Sequence, residues 1–174
     1  MTLSLFHVSE EPDITCFVPR PAPSTNLDGS MVWAIDNKHL HNYLLPRDCP
    51  RITFYALPES QPEHVSSLLA GTSATYVIAI ETCWLERVLQ QSIYVYELPT
   101  DTFIPLDTGA GYYISRETVT PVSVSRIDNL VAELFRRDIE LRVMPSLWKL
   151  HYAVIASSLQ FSIIRMRNAQ PHRK

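Results

Sequence analysis

Short runs of β-branched and aromatic residues recur along this chain, and they constrain its fold more than any other feature of the sequence. Helical patterns separate some of these runs, but without the strict strand and helix alternation that builds a parallel sheet. The sequence therefore predicts an α+β fold with a mainly antiparallel sheet. The predicted strands cover residues 3–8, 31–35, 52–56, 75–80, 93–98, 103–106, 112–115, 119–124 and 139–143.

Apolar residues at helical spacing predict several helices between the strands. Asp36 is a suitable N-cap for one of them, and another is predicted over residues 63–70. Ser125 and Asp128 resemble a capping box for a helix that follows them. The longest helix is predicted over residues 147–166, where apolar residues cover most of the circumference and indicate deep burial.

Composition limits the class of protein. Hydrophobic residues make up 46% of the 174 residues and charged residues 19%, which is typical of one folded domain over residues 1–174. The net charge of -3 makes nucleic acid an unfavoured partner. No apolar run approaches the roughly 20 residues of a membrane span, and residues 1–9 lack the features of a signal peptide. We therefore expect a cytoplasmic protein that is not inserted in a membrane.

The three cysteines are Cys16, Cys49 and Cys83. Their odd number and the absence of C-x-x-C spacing predict free thiols and no structural zinc site. Cys49 lies between Arg47 and Arg51, and two guanidinium groups beside a thiol would stabilise a nucleophilic thiolate. The favoured interpretation is nevertheless a small buried packing residue.

Arg47 and Arg51 form a second candidate site. Prolines stiffen their segment, so the two guanidinium groups could be held in place for a phosphate or pyrophosphate, or they could simply pair with surface acids such as Asp48 or Glu59. His39 and His41 lie two residues apart on the predicted helix, which indicates a solvated face and no metal site.

Glycine-rich phosphate loops are absent from the sequence. Gly109 and Gly111 lack the third glycine and the following helix of a dinucleotide fingerprint, so they predict a turn.

Three segments resemble a known arrangement. The first is residues 5–9, a strand that carries His7 and Ser9. The second is residues 32–36, with Tyr43 in the helix that follows. The third is residues 112–117, which end in Glu117. Together they resemble the histidine, tyrosine and glutamate arrangement of the ADP-ribosyltransferase superfamily. Over nearly its full length, the chain is also similar to a bacterial family without an assigned function.

The first resemblance implies a split, mostly antiparallel sheet around a cleft that binds NAD. It covers roughly residues 1–125, which leaves residues 126–174 as a helical C-terminal extension. By this resemblance His7 contacts a ribose of NAD, with Ser9 beside it, and Tyr43 stacks on the nicotinamide ring. Glu117 then stabilises the positive charge that develops as the glycosidic bond breaks. The cations for the pyrophosphate would come from Arg20, Arg47 or Arg51.

The leading hypothesis is therefore NAD-dependent ADP-ribosyl transfer or NAD glycohydrolysis, with NAD as the substrate, no metal, and an acceptor that the sequence does not identify. The alternative is a non-catalytic nucleotide-binding or interaction module on the same scaffold. A third hypothesis is a cysteine-dependent enzyme built on Cys49.

Overall fold

The computed structural model describes residues 3–21 and 28–172, and the chain divides into two compact units. The first unit combines residues 1–44 with 92–128, and the second combines residues 45–91 with 129–174. Each unit is therefore assembled from two stretches that are distant in sequence. The prediction of one domain over the whole chain stays a prediction.

The first unit is built on an antiparallel sheet. Among the described residues this sheet has seven strands in the order β7-β8-β3-β1-β6-β9, with β2 pairing to β3 outside this path. A 3₁₀ turn at Leu40–Tyr43 follows β3. The strands are β1 (Leu5–Ser9), β2 (Arg20–Pro21), β3 (Ser30–Asp36), β6 (Ile93–Leu98), β7 (Ile104–Asp107), β8 (Tyr112–Ser115) and β9 (Ser123–Ile127).

The two faces of this sheet differ. Because side chains alternate along a strand, the register Leu5↔Asp36 and Ala34↔Tyr113 puts these four residues on one face, which we call the core face. The apolar cluster on the core face is completed by buried residues of the sheet and of the loops over it: Phe17, Val32, Tyr96, Leu98, Phe103 and Val119. Residues in the alternate register, such as Ile35↔Tyr112, occupy the opposite face.

The second unit contains the α-helices. Within the described residues its sheet has four strands in the order β10-β5-β4-β11, of which only β5 and β10 are parallel. Because β5 lies between two strands, residues 77–81 are all buried. The elements are β4 (Arg51–Tyr55), α1 (Pro62–Leu68), β5 (Tyr76–Glu81), α2 (Leu85–Gln90), α3 (Leu130–Arg136), β10 (Ile139–Met144), α4 (Trp148–Ile155) and β11 (Gln160–Ile164), with 3₁₀ turns at Thr82–Trp84 and Met166–Asn168.

One face of β4 and β5 forms the core of the second unit with α4. Ile52, Phe54 and Val77 pack there with Leu150 and Val154, and all five side chains are buried. Residues of α1 and its C-terminal end complete the cluster. Burial of such side chains contributes roughly 1.5–3 kcal/mol each.

The predicted α+β class with mostly antiparallel strands is confirmed. The ADP-ribosyltransferase-like arrangement of the sheet stays a prediction. The composition of residues 18–30, rich in proline, serine, aspartate and glycine, predicts a loop. Of these residues, 22–27 lie outside the described residues, and Arg20–Pro21 form the short strand β2. The helix predicted after Asp36 is only the 3₁₀ turn.

The long helix predicted over residues 147–166 is wrong. Helix α4 ends at Ile155, and residues 160–164 pair with β4 as the antiparallel strand β11. At the break the hydroxyl of Ser157 donates to Val154 O at 2.8 Å, and Ser158 N donates to His64 Nδ1 at 3.0 Å. The Ser158 hydroxyl also accepts a bond from Gln61 N. These bonds to α1 and its N-cap satisfy backbone and serine groups where the chain leaves the helix.

The predicted capping box at Ser125 and Asp128 is also wrong. Ser125 lies within β9, which pairs with β6 as far as Ile127. The cap of α3 is Asn129, whose side-chain oxygen accepts from Ala132 N at 2.9 Å. Strand pairing thus overrides the local signal and delays the helix to Leu130.

Candidate functional site

His7 is held in one orientation on β1. Its Nδ1 lies 3.0 Å from the carbonyl oxygen of Trp33. A carbonyl only accepts hydrogen bonds, so Nδ1 carries the proton and the neutral ring has its acceptor lone pair on Nε2. The ring is half-buried on the core face, which it shares with Leu5.

A backbone bridge brings a distant segment to the loop that packs on His7. The ring centroids of His7 and Phe17 are 4.7 Å apart. Phe17 N donates to Val119 O at 2.8 Å, and Val119 N donates back to Phe17 O at 2.9 Å. Glu117 precedes Val119 by two residues, so this bridge restrains the backbone that carries Glu117.

Glu117 lies just past the end of β8 with an exposed side chain. Its backbone N–H donates to the hydroxyl of Ser115 at 3.2 Å, and that hydroxyl donates to Thr102 at 2.8 Å. The turn is thus anchored to the sheet, while the carboxylate extends from it.

Ser9 and Arg20 occupy the same unit. Ser9 is buried at the end of β1, and its hydroxyl accepts from Glu11 N at 3.1 Å, so it shapes the turn after the strand. Arg20 is exposed on β2, where it pairs with Met31. An exposed guanidinium at this position is accessible to an anion.

Tyr43 does not share the face of His7. Its hydroxyl lies 2.6 Å from the hydroxyl of Tyr112, and Tyr112 occupies the opposite face of the sheet. The Trp33 ring lies 5.8 Å from that of Tyr112, edge to face, on the same side. The register therefore separates the Tyr43 hydroxyl from the His7 ring by the thickness of the sheet.

Arg47 and Arg51 belong to the second unit. Arg51 is only 2% exposed, and its guanidinium donates to Pro46 O at 3.1 Å and to Cys49 O at 2.9 Å. This guanidinium binds the carbonyls of its own loop, which gives it a structural role. Arg47 lies within that loop, and its side chain is exposed.

Cys49 is completely buried. Burial raises the pKa of its thiol from 9.0 to about 12, although the charge of Arg51 acts in the opposite direction. The thiol is therefore protonated at neutral pH and is a poor nucleophile. This environment favours the packing interpretation over the cysteine-dependent enzyme. Cys16 and Cys83 are exposed free thiols.

Asp36 and His39 form a pair that the sequence did not suggest. One carboxylate oxygen of Asp36 lies 2.8 Å from His39 Nδ1 and also accepts from His39 N at 2.8 Å. The imidazole is almost fully buried, as is that of His41, so the predicted solvated face is wrong. The D-x-x-H spacing after a strand was the available signal, but Asp36 had been assigned only a capping role.

Gly111 packs against one side of the Asp36–His39 pair. It has a φ of +74°, which favours glycine, and a Cβ added there would lie 2.3 Å from His39 Nδ1 and 2.8 Å from the Asp36 carboxylate. Asp36 N also donates to Gly111 O at 3.0 Å. The backbone of the β7–β8 turn therefore packs directly on the aspartate–histidine pair.

The second unit has an open surface depression of about 410 Å³ beside α2. It is lined by Cys83, Glu86, Arg87, Gln90 and Gln91, and the Arg87 guanidinium lies 5.6 Å from the Trp84 ring. None of the predicted site residues lines it.

Two absences hold for residues 3–21 and 28–172. These residues contain no group of three or more histidine, cysteine, aspartate or glutamate side chains that could hold a metal ion. They also contain no helix with the length and apolar character needed to cross a membrane.

The chain belongs to a family of unknown function, DUF6886, whose model matches residues 6–169. This match supports the predicted similarity to a family without an assigned function, and it carries no link to the ADP-ribosyltransferases. Comparison with curated proteins and with solved structures gives no significant match.

Proposed function

We propose that the first unit binds NAD and uses it for ADP-ribosyl transfer or NAD glycohydrolysis. The observation that carries this proposal is the bridge between Phe17 and Val119, since it fixes the segment of Glu117 against the loop that packs on His7. A segment distant in sequence thus supplies a carboxylate near the loop that packs on the histidine, and the proposal adds the guanidinium of Arg20 on β2.

The fixed tautomer of His7 supports the role of a ribose contact. With Nδ1–H bound to Trp33 O, the neutral ring carries its acceptor lone pair on Nε2, which is the type of group to which a ribose hydroxyl donates. Packing on Phe17 restrains the ring, so less rotamer entropy is lost when ligand binds. We assign the guanidinium of Arg20, in the same unit, to the pyrophosphate of NAD.

Glu117 supplies the charge that the chemistry requires. When the bond between nicotinamide and ribose breaks, positive charge develops on the ribose, and a nearby carboxylate stabilises that transition state more than the ground state. The anchored turn after β8 restrains the backbone that carries this carboxylate.

The proposed site is smaller than the set of residues predicted from the sequence. We exclude Tyr43 because its hydroxyl lies on the opposite face, and Arg51 because its guanidinium is buried among loop carbonyls. The proposal is confined to the first unit, so it assigns no role to Arg47, which belongs to the second. Ser9 keeps a supporting role in the turn that follows β1.

The test replaces Glu117 with glutamine, which preserves size but removes the charge. We expect NAD affinity, measured by calorimetry, to change by no more than about twofold, while nicotinamide release falls by roughly two orders of magnitude or more. Glu59→Gln is the matched control, because Glu59 is an exposed carboxylate of the second unit and its loss should change neither quantity.

Two results would contradict the proposal in different ways. Absence of wild-type NAD binding at millimolar concentration would remove NAD as a ligand. Binding without any release of nicotinamide would instead support the non-catalytic nucleotide-binding module.

A further inference from the structure

None of the NAD contacts proposed above involves the Asp36–His39 pair. The geometry of the pair is that of an oriented proton acceptor. The carboxylate holds both Nδ1 and the backbone N–H of the histidine, and Gly111 packs against the Nδ1 edge of the ring. Because the carboxylate accepts the Nδ1 proton, the neutral ring carries its lone pair on Nε2. That nitrogen makes no hydrogen bond to any residue within 3–21 or 28–172.

Asp36, which orients the pair, lies on the same face of the sheet as His7. Asp36 is opposite Leu5 in the register, and His7 is two residues farther along β1, which corresponds to roughly 7 Å along the strand. Gly111, which follows the β7–β8 turn, closes the pair on this side. The aspartate that orients His39 and the proposed ribose contact therefore share the core face of one sheet.

We infer that His39, oriented by Asp36, is the general base that activates the acceptor hydroxyl, water or an alcohol, in the reaction proposed above. This inference rests on the proposed function and adds the acceptor's chemical class to it. A base placed in this way typically contributes about 10²–10⁴-fold to the rate.

The acceptor oxygen bonds to the anomeric carbon of the nicotinamide ribose, and its proton passes to His39 Nε2. The bond from that carbon to nicotinamide breaks, and its electron pair neutralises the positive ring nitrogen of the departing nicotinamide. The base then returns the proton to solvent, so NAD and an alcohol or water yield ADP-ribosylated acceptor or ADP-ribose, nicotinamide and one proton.

The titratable groups named near the His39 ring come from β3, from its own 3₁₀ turn and from the β7–β8 turn. Asp36 contacts it directly, and His41 and Tyr43 follow it in the 3₁₀ turn, with the Tyr43 hydroxyl bound to that of Tyr112. On the β7–β8 turn, the carboxylate of Asp107 accepts from Ala110 N. The rate should fall as the pH is lowered, because a protonated Nε2 cannot accept the acceptor's proton.

The experiment measures nicotinamide release from NAD in water against pH, for the wild type and for His39→Gln. We expect His39→Gln to lower the rate by roughly two orders of magnitude, to leave NAD affinity unchanged, and to flatten the acidic fall of the profile. His172→Gln is the matched control, because His172 is an exposed histidine of the second unit and its loss should leave the profile unchanged.

A second variant separates catalysis from folding. His39→Gly removes the imidazole, and added free imidazole should restore part of the rate if the ring acts as a base. A His39→Gln protein with the wild-type rate and profile would overturn the inference while leaving the proposed function intact. Loss of NAD affinity and thermal stability without imidazole rescue would also overturn it, because the pair would then be structural. A wild type that releases no nicotinamide would remove the proposed function, and this inference with it.

Discussion

Cys49 and Arg51 are two residues apart at the start of β4, and both side chains are buried. The sequence placed a thiol and two guanidinium groups together, which suggested either a nucleophile or an anion site. The burial of both side chains disfavours both the nucleophile and the anion site. It keeps the thiol protonated, and it commits the guanidinium of Arg51 to the carbonyls of Pro46 and Cys49.

The raised pKa of Cys49 predicts how stability depends on pH. The thiol ionises near 9.0 in the unfolded chain but only near 12 in the folded protein, so the unfolded state loses its proton first. The stabilisation is complete below pH 9.0 and is lost as the pH rises towards 12, at about 1.4 kcal/mol per pH unit. Urea unfolding of wild type and Cys49→Ala at pH 8 and pH 10.5 should show the wild type losing stability relative to the variant.

Cys83→Ala provides the control for this prediction, because Cys83 is exposed. Its unfolding curves should keep a constant offset from those of the wild type over the same pH range. A constant offset for Cys49→Ala as well would show that the buried thiol ionises as easily as an exposed one.

The residue scale also shows what the sequence could not reveal about the site. The sequence suggested His7, Arg20 and Glu117 by residue type and position, and their roles stay a prediction. The packing interpretation of Cys49 followed from the usual burial of a free cysteine at a loop–strand junction. The face of the sheet on which Tyr43 lies depends on the pairing of β8 with β3, which no local pattern encodes. His39 was likewise missed as Asp36's partner, since the prediction of a full helix put it on a solvated face.

At the scale of elements, pairing with β4 determines how the C-terminal apolar segment folds. Strand β11 pairs with β4 over five residue pairs, from Gln160↔Tyr55 to Ile164↔Arg51. Apolar residues on all sides fit a buried helix and a buried strand equally well, so only the length of the segment favoured the helix. Strands such as β6, with its alternating β-branched and aromatic residues, were predicted correctly because local preference and pairing agree there.

Two glycines with nearly equal φ allow the turn before β8 to be tested. Gly71, at +79°, has nothing within 4 Å of an added Cβ, whereas a Cβ on Gly111, at +74°, would overlap the His39 ring. Gly71→Ala should therefore cost about 1–2 kcal/mol of unfolding free energy from backbone strain alone. Gly111→Ala should cost at least about 1 kcal/mol more, because the ring or the turn must move.

Chemical denaturation of the two alanine variants measures this difference. A shifted ring signal of His39 by NMR in Gly111→Ala, but not in Gly71→Ala, would identify the pair as the group displaced. Equal stability losses would show that the aspartate–histidine pair does not depend on the close approach of Gly111.

At the scale of the whole molecule, the chain passes between the two units three times, near residues 44, 91 and 128. Strand β5 pairs with β10, about 60 residues later, while β6, only a short helix after β5, belongs to the sheet of the first unit. Neighbours in sequence are therefore members of different sheets.

This division predicts the pattern of hydrogen exchange. Amides of β4 and β5 should open with those of β10 and β11, because exchange from a strand requires the loss of its own ladder. Amides of β6 should open with β1 and β9 instead. Hydrogen exchange followed by mass spectrometry at increasing urea concentration measures these groups. Joint exchange of β5 with β6, apart from β10, would contradict the division.

Because the two units alternate along the chain, their sheets can be completed only late during synthesis on the ribosome. When residue 91 has been made, the sheet of the first unit still lacks β6 to β9, and that of the second lacks β10 and β11. The first sheet can close only after Ile127 leaves the exit tunnel, and the second only after Ile164. At synthesis rates of about 5–20 residues per second, unpaired strand edges of both sheets stay exposed for seconds. Until Ile164 has left the exit tunnel, a nascent chain of this protein therefore exposes strand edges that can pair with other chains.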